Sequence, residues 1–82
     1  MANPEMAKLV RQLRIQHNYT LQGVAAVLQL SQATYSRIEY GTRELTFKEA
    51  QLLARLYHTP VDELFRNEDG QLLYERQELY VA

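Results

Sequence analysis

The 82-residue sequence predicts an all-α fold, a compact five-helix domain with a short C-terminal extension. Three observations carry this expectation. Helix-start signals recur along the chain. The apolar residues between them repeat at helical spacing. Nothing alternates at period two between residues 4 and 66, so no strand is expected there.

Asn3-Pro4-Glu5 opens the first helix with a capping residue, a proline at the first helical position and an acid in the first turn. Met6, Leu9, Val10 and Leu13 keep one apolar face, which predicts a helix from about Pro4 to about His17, broken by Asn18-Tyr19. Thr20 caps a second helix whose inner stripe is Leu21, Val24, Ala25 and Leu28. Gln29-Leu30 reads as a tight connection. Ser31 caps a third helix that stops at Gly41. Thr46 and Glu49 form a capping box for a fourth helix with Phe47, Ala50, Leu53, Ala54 and Tyr57 inside. Thr59-Pro60-Val61-Asp62 repeats the proline-at-the-first-position signal, with Val61, Leu64 and Phe65 turned in.

Residues 67–82 differ. Asn67 to Gly70 is a breaker, and the apolar residues after it fit either an extra helix or a strand. The expected organisation is one helical domain at 1–66, with two helices joined by a tight turn at about 20–41, followed by this extension.

Composition excludes several functions. There is no cysteine, so neither a disulfide framework nor a thiolate metal site is available. His17 and His58 are too far apart to suggest a zinc motif, and both fall near helix C-termini, where a cation is favourable. No run approaches the roughly 18 apolar residues of a membrane span. A cytoplasmic location is the default expectation. No catalytic triad spacing or glycine-rich phosphate loop is visible, so no enzyme, cofactor or metal is expected. Net charge is -1, but its distribution is uneven. Residues 1–48 hold six basic and three acidic side chains, and residues 49–82 hold three and seven.

The run Tyr19 to Gly41, YTLQGVAAVLQLSQATYSRIEYG, resembles the helix-turn-helix of lambda-repressor-like, Cro/Xre-type regulators. The small alanine of that family falls on Ala25. Its S-x-x-T-Φ-S-R-I-E-x-G ending falls on Ser31, Thr34, Tyr35, Ser36, Arg37, Ile38, Glu39 and Gly41. Its later helices fall on Phe47 to Tyr57 and Val61 to Phe65, so the likeness covers roughly residues 5–66. Three positions depart from the pattern. Leu21 stands where a phosphate-binding glutamine is common, with Gln22 one place on. Gln29 stands where the turn usually has glycine, and Leu45 where a proline is common.

The resemblance implies a transcriptional regulator, expected as a repressor, that lays its third helix in the major groove of double-stranded DNA. Gln32, Ala33, Ser36 and Arg37 are then the expected base readers. Glutamine pairs with adenine, arginine with guanine, and a small apolar group meets a thymine methyl. Thr20, Gln22, Thr34, Tyr40, Thr42 and Arg43 are the expected phosphate contacts, with packing as a rival role for Tyr40. The family pattern also implies a structural salt bridge between Arg14 and Glu39. Few basic groups imply a mild salt dependence and weak binding by one domain alone. Homodimerisation is the expected remedy, setting two third helices roughly 34 Å apart. Leu72, Leu73, Tyr74, Leu79 and Tyr80 are candidates for that contact. Covering the core of one chain is the alternative. A rival function is a protein-interaction module, such as an antitoxin with a cognate toxin.

Overall fold

The computed structural model describes residues 3–74. Five helices follow one another: α1 (Pro4–Gln16), α2 (Leu21–Val27), α3 (Gln32–Tyr40), α4 (Phe47–Leu56) and α5 (Val61–Leu64). Each of the first four begins at a side-chain cap. Asn3 accepts from the amides of Glu5 and Met6. Thr20 accepts from Gly23, Ser31 from Thr34, and Thr46 from Glu49. At Thr46 the Glu49 side chain also reaches back to the Thr46 amide, which completes the capping box. α5 differs from its sequence reading. Pro60 is its N-cap rather than its first residue, and no side chain caps it. The Thr59 hydroxyl donates instead to the Tyr57 carbonyl, 3.0 Å away.

The helix ends share one geometry. Asn18, Gln29 and His58 follow the ends of α1, α2 and α4 with φ of 58°, 60° and 54°, and Gly41 ends α3 at φ 80°. At each, the next amide bonds back to a carbonyl five residues earlier: Tyr19 to Arg14, Leu30 to Ala25, Thr42 to Arg37 and Thr59 to Ala54. This is a Schellman ending used four times. Glycine suits the left-handed residue, but only α3 has one there. The other three positions accept a cost of about 1 kcal/mol each.

The core lies between the helices. α3 packs against both α1 and α2, and α4 packs against α5 and α2. Tyr35, Ile38, Val10, Val24, Leu53 and Phe65 are its fully buried large side chains. Ala25 is also buried, on the inner side of α2, the helix that packs against α3. The rings of His17, Tyr19 and Tyr57 cluster where α1 and α4 end, with His17 and Tyr57 centroids 4.6 Å apart.

The chain then turns back. Asn67 Oδ1 accepts from the amides of Asp69 and Gln71, and Gly70 takes φ 80°. Arg66 and Leu72 form one isolated antiparallel bridge, so residues 71–74 are neither helix nor part of a longer strand. The Leu73 amide donates to the Phe65 carbonyl at 2.8 Å, and Asn3 Nδ2 donates to the Leu73 carbonyl at 3.1 Å. Leu73 and Tyr74 therefore pack on the core of their own chain. The Tyr74 ring sits 5.4 Å from that of Phe47, and its hydroxyl donates to Asp62. Of the residues considered for a dimer contact, Leu72 is half-buried, Leu73 and Tyr74 are used in this way, and Leu79 and Tyr80 lie outside the described residues.

Candidate nucleic-acid interface

α3 divides its side chains into two sets. Tyr35 and Ile38 are buried, while Gln32, Ala33 and Arg37 are exposed and Ser36 is half-buried. The division follows from helical geometry, because residues three apart share a face. Among the described residues, the side chains of Gln32, Ser36 and Arg37 make no hydrogen bond or ion pair. A polar face left with no internal bonds is free to meet an external partner. Its N-terminal end is held by a small network. Ser31 Oγ accepts from the Thr34 amide at 3.1 Å and donates to Thr34 Oγ1 at 2.9 Å. Thr34 is half-buried and keeps its own hydroxyl proton available.

The C-terminal end of α3 is anchored by charge. Arg14 Nε lies 2.7 Å from Glu39 Oε2, and Arg14 Nη2 lies 3.0 Å from Glu39 Oε1. Both side chains are largely buried, with 15% and 5% exposure. A third donor, Arg14 Nη1, reaches the Tyr19 carbonyl at 3.1 Å, so the guanidinium ties α1, α3 and the residue before the α2 cap together. The hydrogen bond to Glu39 holds the Arg14 pKa above its ordinary value. Among the described residues, the buried Tyr35 and Tyr57 hydroxyls find no hydrogen-bond partner. Burial first, and the Glu39 carboxylate next, raise the Tyr35 pKa well above the usual phenol value. Burial, followed by Tyr19, pushes that of Tyr57 up to about 12. Both phenols stay neutral, consistent with a packing role.

The residues considered for phosphate contact fall in different situations. Thr20 is exposed, and its oxygen caps α2. Gln22 is exposed on the first turn of α2. Tyr40 is 83% exposed and takes no part in the core, which removes its rival role as a packing residue. Thr42 Oγ1 donates to the Arg37 carbonyl at 3.3 Å. Arg43 is engaged inside the chain. Its Nη1 and Nη2 meet Glu49 Oε1 and Oε2 at 2.9 and 3.2 Å, and Nη1 also donates to the Glu44 carbonyl at 3.1 Å.

The Arg43–Glu49 pair has no signal in the sequence beyond the capping box. Glu49 is only 7% exposed. Burial alone would raise its pKa, but bonds from Arg43 and the Thr46 amide outweigh burial and hold it below the usual value. The pair's stabilisation is thus present above the ordinary carboxylate range. It is lost only as pH falls through the lowered value.

The helix-turn-helix family pattern, of lambda-repressor, Cro and Xre type, matches residues 10–64. The chain belongs to this family. Its members are DNA-binding transcription regulators, and the fold class is the all-α class of the family. No match was found among curated proteins or among solved structures. Among the described residues, no helix is long and apolar enough to cross a membrane, and no group of histidine, cysteine or acidic residues could hold a metal ion.

Proposed function

We propose that this helix-turn-helix protein is a sequence-specific transcriptional repressor that reads the major groove with α3. The observation that carries the reading is the outward face of α3, with Gln32, Ala33 and Arg37 exposed beside half-buried Ser36. These are residue types that read base edges. Thr20, Gln22, Thr34, Tyr40 and Thr42 are proposed to set the register on phosphates. Their hydroxyls, amide and exposed ring flank that face at helix ends and in the following loop. Repression needs nothing beyond occupancy of the operator.

Selection from random duplex DNA at low salt tests this. Enrichment of a site is the expected result, and no enrichment would overturn it in favour of protein binding through the same fold.

The proposed binding unit is a dimer on a two-fold site. Lys8, Arg11, Arg37, Lys48, Arg55 and Arg66 form no ion pair among the described residues, which is a small cationic supply for one domain to hold DNA alone. Deleting residues 75–82 leaves Leu73 and Tyr74 on the core, so it isolates Leu79 and Tyr80. The truncated chain is expected to lose mass in solution and affinity for the selected site. Unchanged mass and affinity would place the dimer contact elsewhere.

A further inference from the structure

We infer that Arg43 is a positioning residue, one that sets the loop after the recognition helix instead of neutralising a phosphate. The inference rests on the DNA-binding reading above and specifies what one of its loop residues does.

Three observations carry it. The first is the geometry of the pair. Each terminal nitrogen of Arg43 donates to one oxygen of Glu49, at 2.9 and 3.2 Å. A bidentate pair of this kind fixes the guanidinium plane as well as its charge. The second is burial. Glu49 is almost wholly buried, so withdrawing Arg43 to reach a phosphate would leave a carboxylate without its counter-charge. The third is connectivity. Glu49 Oε1 also accepts from the Thr46 amide at 2.9 Å, where α4 begins. At the other end of the loop, the amides of Thr42 and Arg43 donate to the Arg37 carbonyl at 2.9 and 3.3 Å. Arg43 thus sits in a bonded path from the carbonyl of a proposed base reader to the cap of α4. Residues 41–46 are held at both ends, and Thr42 and the exposed Tyr40 are presented on a fixed frame.

Two near-isosteric or like-charged variants separate the two roles. Arg43→Lys keeps the cation but loses the bidentate fork. Glu49→Gln keeps Arg43 and releases it. If Arg43 served a phosphate, Lys would serve nearly as well, and Glu49→Gln would bind as tightly as the parent or tighter. Positioning gives the opposite result. Binding to the selected duplex is measured against salt, at a temperature where circular dichroism shows every variant fully folded. Arg43→Lys and Glu49→Gln are each expected to weaken binding about tenfold, the equivalent of one charge-assisted hydrogen bond. The slope of log affinity against log salt is expected to stay that of the parent in both. Parental binding by both variants, together with a slope lowered by about 0.9 in Arg43→Ala, would overturn the inference.

Amide exchange gives a second readout that needs no DNA. The Thr42 and Arg43 amides are expected to lose protection in Glu49→Gln, and unchanged protection would also overturn the inference. If the parent binds no duplex at all, the DNA reading fails, and amide exchange still decides whether Arg43 sets the loop.

Discussion

Arg14→Ala is expected to cost about 3 kcal/mol of unfolding free energy, the lower end of the range for breaking a buried pair. The lower end is chosen because Arg14 keeps 15% of its surface in water. The loss has two parts. Glu39, at 5% exposure, is left as a buried carboxylate without a counter-charge. The Tyr19 carbonyl also loses the donor that holds the approach to α2. A chain of this size gains total stability of only about 4–12 kcal/mol, so the change is a large share of it. The thermal midpoint is expected to fall by roughly 12–24 °C. Urea unfolding, with fluorescence from the six tyrosines, measures the shift. An unfolding free energy within about 0.5 kcal/mol of the parent would mean that the pair contributes nothing. The double variant Arg14→Ala, Glu39→Ala sharpens the test. Removing the stranded carboxylate is expected to restore part of the loss, so the two single changes do not add.

This pair shows how legibility was divided. The helix starts follow from short-range chemistry. Asn3, Thr20, Ser31 and Thr46 each bond an amide two or three residues on, and a cap of that kind is written in consecutive letters. The inward residues of α3 and α4 follow from helical period. The ends are less legible. A left-handed residue is announced by glycine, as at Gly41, but His58 carries no such letter. Only the surrounding packing and the bond from Thr59 to Ala54 hold it there. Arg14 and Glu39 are 25 positions apart, a separation no local rule bridges, and they are joined in the sequence only through the family resemblance. Arg43 and Glu49 are close in sequence, yet a non-helical loop lies between them, and loops have no period. An arginine beside a proposed DNA face then reads as a phosphate ligand unless its internal partner is seen. The same limit applies to Leu73 and Tyr74. Their apolar character shows that they are covered, and only the turn at Asn67 shows that their own chain covers them.

Gln32→Ala is expected to produce the largest change in DNA recognition. Gln32 is the first residue of α3, follows directly on the Ser31 cap, is exposed, and makes no hydrogen bond to another described residue. Those conditions make its amide available for two bonds to one base edge at no cost to the fold. Loss of such a pair is worth about 1–3 kcal/mol, or roughly 5- to 150-fold in affinity for the selected site. Two symmetric half-sites would each lose it. Two further results distinguish base reading from a general role. Binding to unrelated duplex DNA should stay unchanged, since no charge is removed and the salt slope is untouched. Preference at one base position of each half-site should relax, so that selection with the variant enriches the same site with that symmetric pair of positions degenerate. Equal losses on selected and unrelated DNA would instead make Gln32 a backbone contact. The stability of the free protein serves as the internal control. An exposed residue of this kind should change the unfolding free energy by no more than about 0.5 kcal/mol, which is the reverse of the expectation for Arg14. One helix thus carries two opposite sensitivities. The Arg14–Glu39 end determines whether α3 is held in place, and the Gln32 end determines what it reads once it is held.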